Sequence, residues 1–333
     1  GGSDIAITKN LIDHAATGII AGGADGAANG NGVTLLRNHI MHGASGILIN
    51  SSDYAWLRSN VVEHMTGEGL EVKYSDHTRI NNNRIDQTGG DAFFLAHSDN
   101  ALLDGNDAYL TGGDAIDLWD SSGATIHANR IGTYLDGTNE GIGNIGDDGI
   151  ELKESNNALV TGNILSDVVK DAIRLENSSH VTVGAVNPLD STVFSNSIDR
   201  AGNGITVSGG GDVTISKNLI NHTAIAGIDA ENVNGLNIDH NHVMNGGGAG
   251  VIASHDSAVT IGHNVVENMG GTGFIAFNDS NLKIMSNRAD KLGGNGFAFG
   301  YGTGAFVQSN RAYQTAADGF YIKRADGLRL LDN

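Results

Sequence analysis

The chain of 333 residues carries a net charge of -19 and contains 39% hydrophobic residues, 49 glycines, one proline and no cysteine. The lack of cysteine excludes disulfide bonds and thiolate metal sites, and the acidic balance excludes nucleic acid as a partner, because phosphate binding needs clustered lysine and arginine. No apolar run reaches the roughly 18 residues of a membrane span.

One asparagine recurs from the start of the chain to its end, in most places every 23 residues. The series is Asn10, Asn38, Asn60, Asn83, Asn106, Asn129, Asn163, Asn196, Asn218, Asn241, Asn264, Asn287, Asn310 and Asn333. A fixed period of this length is typical of a solenoid, in which each repeat is one coil. We expect the asparagines to hydrogen-bond to one another along the stack.

Within each coil, in chain order, one strand follows a glycine or alanine and a second strand follows about eight residues later. The first strand always holds an inward apolar residue, in the column Ile19, Ile47, Leu70, Phe93, Ile116, Ile150, Ile173, Ile205, Ile228, Val251, Phe274, Phe297 and Phe320. The asparagine turn and a short third strand complete the coil. A pair of helices with two turns does not fit into 23 residues.

This regularity resembles the pectin-lyase-like superfamily of right-handed parallel β-helices, which includes polysaccharide lyases, polygalacturonase-type hydrolases, mannuronan epimerases, tailspikes and adhesins. The predicted fold class is therefore all-β, a single-stranded right-handed parallel β-helix of about 14 coils of about 23 residues. We expect residues 1–333 to form one domain, as a fragment without end caps. Open end coils favour end-to-end association or flanking domains of the same chain.

Two consecutive coils carry closer resemblances. GGDAIDLWDSS (112–122) and GDDGIELKESNN (146–157) resemble polygalacturonase motifs, with Asp114, Asp147 and Asp148 as the matching carboxylates. The G-H-G and R-I-K motifs of that family do not follow. GDDGIELKESNN and the next coil are also similar to mannuronan C5-epimerase modules, but the D-P-H-E motif is absent. No complete active site is carried over from either family.

Acidic residues occupy one position in five consecutive coils, namely Glu68, Asp91, Asp114, Asp148 and Asp171. Stacked carboxylates about 5 Å apart raise one another's pKa and bind either protons or cations. Three interpretations remain open. The acids accept backbone amides of their own turns, they bind calcium through oxygen ligands, or they take part in catalysis.

The outward strand positions beside these acids suit sugar binding, because they combine acids, bases and aromatic rings. The candidate catalytic residues are Asp114, Asp117, Asp148, Glu151, His97, Lys153 and Arg174. The candidate substrate-binding residues are Trp119, Tyr74, Phe94 and Lys73. A second stripe, His14, His42 and His64, is interpreted as structural stacking, since a ladder spaces its members along one line.

Three coils are interrupted, at residues 22–32, 133–147 and 184–194, and the second interruption adjoins the acidic column. Insertions in solenoids often build the binding face. The predicted function is a secreted or cell-surface protein that binds a polysaccharide and acts as a lyase, glycoside hydrolase or C5-epimerase. The alternative is a structural or adhesive rod, such as an adhesin, stalk or tailspike segment, whose acids hold calcium.

Overall fold

A computed structural model describes residues 5–23, 32–132, 144–185 and 195–333. Backbone contacts divide the chain into two compact units, Gly1–Lys170 and Asp171–Asn333. All regular elements in the described ranges are β-strands, numbered here in chain order. These ranges accordingly hold no helix that could cross a membrane.

The strands are short, and most have three to six residues. The first unit contains β1 (Ala6–Thr8), β2 (Leu11–Asp13), β3 (Thr17–Gly22), β4 (Thr34–Leu36), β5 (His39–Gly43), β6 (Ser45–Asn50), β7 (Trp56–Arg58), β8 (Val61–Met65), β9 (Leu70–Lys73), β10 (Arg79–Asn81), β11 (Arg84–Thr88), β12 (Phe93–Ala96), β13 (Leu102–Asp104), β14 (Asp107–Thr111), β15 (Ile116–Trp119), β16 (Thr125–His127), β17 (Arg130–Ile131), β18 (Ile150–Lys153) and β19 (Leu159–Thr161). The boundary between the units falls within β20 (Ile164–Glu176).

The second unit contains β21 (Thr182–Gly184), β22 (Ser197–Ser208), β23 (Gly211–Ser216), β24 (Leu219–Glu231), β25 (Asn234–Asp239), β26 (His242–Met244), β27 (Ala249–Ser254), β28 (Thr260–Gly262), β29 (Val265–Met269), β30 (Phe274–Phe277), β31 (Lys283–Met285), β32 (Arg288–Leu292), β33 (Phe297–Gly300), β34 (Phe306–Gln308), β35 (Arg311–Thr315), β36 (Phe320–Lys323) and β37 (Arg329–Leu331).

Every described pairing joins parallel strands one coil apart, so each coil has three faces. In the first unit, face A contains β1 and every third strand after it, and face C contains β3, β6, β9, β12, β15 and β18. The all-β parallel solenoid is confirmed, with about 12 turns rather than 14.

The apolar columns point inward, as predicted. Leu70, Phe93, Ile116 and Ile150 lie opposite one another on adjacent strands and are 0% exposed. In the second unit the ring of Phe297 stacks at 4.9 Å on the rings of both neighbouring coils. The predicted coil register is therefore confirmed.

The repeating asparagines form buried hydrogen-bonded ladders within each unit. Asn60 Nδ2 donates to Asn83 Oδ1 at 2.9 Å and to the carbonyl of Leu35 at 2.9 Å, while the Asn60 amide donates to the same Oδ1. The side chain thereby satisfies backbone groups that the turn removes from the strand ladder. Their predicted structural role is confirmed.

A second ladder of hydrogen bonds lies in the turn that follows the face C strands. In the first unit serines occupy this position. The amide of Ser75 donates to Ser98 Oγ at 3.1 Å, and Ser98 Oγ donates to the carbonyl of Ala96 at 2.9 Å. In the second unit Asp256 and Asp279 make the equivalent contact, since the Asp256 amide donates to Asp279 Oδ1 at 2.9 Å. Buried carboxyl groups thus stand where the first unit uses hydroxyls.

Many non-glycine residues at or near the strand ends have a left-handed backbone conformation. His14, His42 and His64 have φ of 57°, 55° and 59°, and their rings stack at 5.0 Å, which confirms the predicted stacking. Of the three predicted insertions, residues 24–31, 133–143 and 186–194 lie outside the described residues. The second insertion, at residues 133–147, is described only from residue 144 onward.

Candidate functional site

Face C of the first unit carries most of the predicted site residues, because the register of its strands places their outward-facing residues opposite one another. Glu71, Phe94, Asp117 and Glu151 lie opposite one another on β9, β12, β15 and β18. Two residues further along, Trp119 lies opposite Lys153 and Ala96 lies opposite Lys73. Alternation along each strand explains this, since the residues between them point into the core.

The acidic column precedes these strands and accepts backbone amides from the following coil. The amide of Asp91 donates to Glu68 Oε2, that of Asp114 to Asp91 Oδ1 at 2.7 Å, and that of Asp148 to Asp114 Oδ1 at 2.7 Å. The acids therefore help to hold successive turns together. The interpretation of the acids as turn residues expected amides of their own turns, whereas these amides belong to the next coil.

Two carboxylate clusters form where the column meets face C. Asp114, Asp117 and Glu151 each place one oxygen within 4.8 Å of the others, and so do Asp114, Asp147 and Asp148. Asp114 belongs to both clusters and is 7% exposed, and Asp148 is 3% exposed. Asp117 and Glu151 meet because they lie opposite each other on β15 and β18.

Burial raises the pKa of several of these acids. The pKa of Asp114 rises to about 9, because of burial and then because of the charges of Asp91, Asp148 and Asp117, although the Asp148 amide opposes the shift. The pKa of Asp117 rises to about 8 through burial and the charges of Asp91, Glu151 and Glu68, while Lys153 opposes it. Both acids therefore hold a proton at neutral pH.

Burial also affects two further acids of the column. Burial is also the main cause that raises the pKa of Asp91 to about 6, against the Asp114 amide that it accepts. Burial likewise raises the pKa of Glu68. The protons are thus concentrated at Asp114 and Asp117, where the two clusters meet.

The predicted basic residues of the first unit have acidic or aromatic partners. Lys73 pairs with Glu71, and its ammonium lies 5.5 Å from the ring centre of Phe94. Lys170, which the sequence analysis did not select, pairs with Asp147. Its position in the coil after the insertion is the sequence signal that could have identified it. Lys73 and Lys170 therefore border the acids at two places.

Three aromatic rings contact one another at the carboxyl ends of the face C strands. Tyr74 and His97 stack at 5.0 Å, whereas the ring of Trp119 is tilted by 49° to that of His97 at 5.2 Å. His97 Nδ1 lies 2.9 Å from Asp120 Oδ2, a partner in the same column one coil further on. Trp119 is 43% exposed and Tyr74 is 58% exposed, so both rings face solvent.

His97 was expected beside Asp91 and Asp117, but its described contacts are with Tyr74, Trp119 and Asp120. The register explains this, because Asp117 lies opposite Phe94, three residues before His97. Its proposed acid or base role stays a prediction.

The two remaining predicted residues belong to the second unit. Asp171 is 7% exposed and accepts a hydrogen bond from Asn203 Nδ2 at 2.8 Å. Arg174 Nη2 donates to Glu176 Oε2 at 3.2 Å. Their roles as metal ligand and catalytic cation stay predictions.

The chemistry of the first unit's site follows from the carboxyl groups. Protonated acids beside a carboxylate can donate and accept protons, which is what glycosidic bond cleavage requires. The same oxygens match the ligands that calcium prefers, if the protons are displaced.

Comparison with known proteins gives a match to one family model and to several solved structures. The model described as "Right handed beta helix region" matches residues 22–137 and 182–333, well over half of the chain. No curated protein matches the chain in sequence. The periplasmic alginate epimerase AlgG is similar in structure, with a TM-score of 0.56, 12% identity, and coverage of 86% of this chain and 76% of that chain.

Two further solved structures are similar at lower scores. The A-module of the mannuronan C-5 epimerase AlgE6 of Azotobacter vinelandii has a TM-score of 0.48 and 13% identity, covering 100% of this chain and 91% of that one. PfbA, a surface adhesin of Streptococcus pneumoniae, has a TM-score of 0.48 and 12% identity, covering 87% and 84%. Sequence identities this low indicate a shared fold only, so function has to be argued from the residues of the site.

Proposed function

Because this chain belongs to the right-handed β-helix family, we propose that it binds a polysaccharide on face C of its first unit and cleaves glycosidic bonds with Asp117 and Glu151. The observation that carries this proposal is the meeting of Asp114, Asp117 and Glu151 within 4.8 Å on an outward strand face. Asp117 supplies the proton to the leaving oxygen, and Glu151 acts as the carboxylate.

The carboxyl separation favours one stereochemical course. Retaining glycosidases have carboxyl groups about 5–5.5 Å apart, whereas inverting enzymes need about 6.5–9.5 Å to admit a water molecule. Oxygens of Asp117 and Glu151 within 4.8 Å of each other agree with the shorter separation. We therefore expect retention of configuration, with Glu151 as the nucleophile.

Polar and aromatic groups around the acids support sugar binding. Trp119 offers an exposed ring at the end of β15, and Lys153 lies opposite it on β18. Lys153 is also near enough to lower the pKa of Asp117. If the substrate is a uronate, this cation would neutralise its carboxylate, and elimination or C5 epimerisation becomes the alternative reaction. We propose a secreted or cell-surface location.

The test is incubation with a panel of neutral and acidic polysaccharides, including alginate because the similar AlgG is an alginate epimerase. Reducing ends report hydrolysis, absorbance of unsaturated sugars reports elimination, and proton NMR of the polymer reports epimerisation. We expect new reducing ends without unsaturation. Unsaturated or epimerised products would show that the protein catalyses elimination or C5 epimerisation instead of hydrolysis.

A structural or adhesive role is the second candidate, favoured by the backbone amides that the acidic column accepts. In that role Asp114, Asp117 and Glu151 would bind calcium and stiffen the coil. Binding of a polysaccharide without any change in it would support this candidate and contradict the catalytic one.

A further inference from the structure

Two histidine and aspartate clusters outside face C have the same design. In both, an aspartate ends a strand, a left-handed histidine follows it, and a second left-handed histidine lies one coil further on. The sequence Ile-Asp-His marks both, at residues 12–14 and 238–240, and the additional histidines are His42 and His263. Each cluster lies within one unit, the first in unit 1 and the second in unit 2.

The cluster in the second unit brings ring nitrogens onto one carboxylate. His240 Nδ1 lies 2.8 Å from Asp239 Oδ2, and His263 Nδ1 lies 3.0 Å from Asp239 Oδ1. The two imidazoles stack at 4.7 Å. A histidine ladder alone spaces its nitrogens along a line, but the carboxylate between the rungs makes these three ligand groups converge to within 4.8 Å.

One nitrogen of this cluster lacks the hydrogen bond that its position suggests. His240 Nδ1 is buried and close to the carboxylate, yet it makes no hydrogen bond with any described residue. The distance from His240 Nδ1 to Asp239 Oδ2 is within hydrogen-bonding range, but the nitrogen is not oriented to donate a hydrogen bond to that oxygen. A lone pair that points at a cation instead of an N–H would account for this geometry.

We infer that Asp239, His240 and His263 bind a divalent transition metal ion such as Zn²⁺. Two imidazole nitrogens and one carboxylate oxygen form a donor set that zinc accepts, with water in the fourth position. Calcium prefers oxygen ligands and is not expected to compete strongly. The ion would join β25 to β28 across one coil step.

The cluster of Asp13, His14 and His42 is a second, weaker site of the same kind. Asp13 Oδ1 lies 2.7 Å from His14 Nδ1 and 2.9 Å from His42 Nδ1. Its side chains are more exposed, at 47% for Asp13 against 18% for Asp239. Water competes better for exposed ligands, so we expect lower affinity here.

The chain contains its own control for this arrangement. Around Asp199 the sequence reads Ile-Asp-Arg, so Arg200 takes the left-handed position and pairs with the carboxylate, while His222 Nδ1 lies 2.8 Å from Asp199 Oδ1. A single imidazole beside an arginine is a poor zinc site. His14→Arg therefore copies an arrangement that the fold already accepts, and Arg37, directly before Asn38, takes the same left-handed position as His240 does before Asn241.

The experiment is equilibrium dialysis of the full chain against Zn²⁺ in excess Ca²⁺, which saturates oxygen-only clusters. We expect His240→Arg to remove the tightest equivalent of bound zinc, and His263→Gln to weaken it at least about tenfold, since even the loss of an outer-shell group costs about that much. His222→Gln should leave zinc binding unchanged, and His14→Arg should remove only the weaker equivalent. Circular dichroism with chelator checks that each variant is folded.

The inference is wrong if the parent chain binds no zinc, or if folded His240→Arg and His263→Gln bind as much zinc as the parent. It is also wrong if His222→Gln removes the tight equivalent. Because the readout is bound metal, failure of the polysaccharide proposal would not affect the result.

Discussion

At the scale of single residues, Asp117 differs from its acidic neighbours in how it is held. Asp91 and Asp114 each accept a backbone amide from the next coil, whereas Asp117 points outward from the middle of β15. Burial and neighbouring acids raise its pKa to about 8. It is therefore the acid whose removal costs the fold least and the proposed chemistry most.

We predict that Asp117→Asn abolishes turnover and raises stability. The folded pKa lies above the unfolded value, so the unfolded chain loses its proton first and parent stability falls as pH rises from about 4 to about 8. The asparagine side chain does not titrate, so the variant does not lose stability in this pH range. Its melting temperature at pH 8 should exceed that of the parent by at least about 2 °C. Parent activity should fall as pH passes about 8, where the proton donor ionises.

The matched control is Asp99→Asn, because Asp99 accepts the Ser122 amide at 2.7 Å in an exposed turn of the same unit. This variant should keep full activity. An Asp117→Asn enzyme that retains turnover would remove Asp117 from the mechanism.

Trp119 should matter for binding rather than for chemistry. Trp119→Ala removes an exposed, tilted ring while leaving the carboxyl groups in place. We expect KM to rise about two- to tenfold with little change in kcat, since the loss of a stacking contact costs about 0.5–1.5 kcal/mol. Tyr74→Ala, which removes a ring already stacked on His97, is the control and should change KM less. A fall in kcat alone would contradict this assignment.

At the scale of the repeating elements, most of the fold could be predicted and the site only in part. The asparagine period and the apolar columns determine register, because a slip of one residue would turn every inward side chain outward. Register alone brings Asp117 opposite Glu151. The register does not determine how side chains orient at turns. The contacts of His97 with Asp120 and of His240 with Asp239 could therefore not be predicted from it.

Asp256 and Asp279 show how one ladder can be built from different residues. They occupy the turn that serines fill in the first unit, and Oδ2 of each is buried without a hydrogen-bond partner among the described residues. Burial raises the pKa of both to about 7, and the charges of Glu231, Asp229 and Asp256 add to this. Each carboxyl group, when it binds a proton, gains an O–H donor like that of the serine hydroxyl in the first unit.

We predict that Asp279→Ser stabilises the second unit and flattens its dependence on pH. With a folded pKa of about 7, the parent keeps its proton after the unfolded chain has lost it, so its stability falls between about pH 4 and about pH 7. Serine does not titrate in this range. Thermal melts across the range measure the effect, and Asp212→Ser, an exposed acid, controls for the lost charge. Equal pH slopes for parent and Asp279→Ser would contradict the prediction.

At the scale of the whole molecule, the net charge of -19 makes cations a general influence on stability. We predict that millimolar calcium raises the melting temperature beyond the effect of sodium chloride at equal ionic strength, because the clusters that share Asp114 offer converging oxygens. Asp114→Asn should reduce this difference, and Asp99→Asn should leave it unchanged. Identical melts in calcium and in sodium chloride would exclude calcium binding.

The asparagine ladders also have a polarity. In the first unit the bonds between asparagine side chains all run toward the carboxyl-terminal coil, from Asn60 to Asn83 and from Asn83 to Asn106, while each Nδ2 also donates to a carbonyl of the preceding coil. Dipoles aligned in this way strengthen one another. Conversion of Asn83 to aspartate by deamidation would leave it able to accept from Asn60 but unable to donate to Asn106. Ageing damage at one rung should therefore weaken the side-chain ladder mainly on its carboxyl-terminal side.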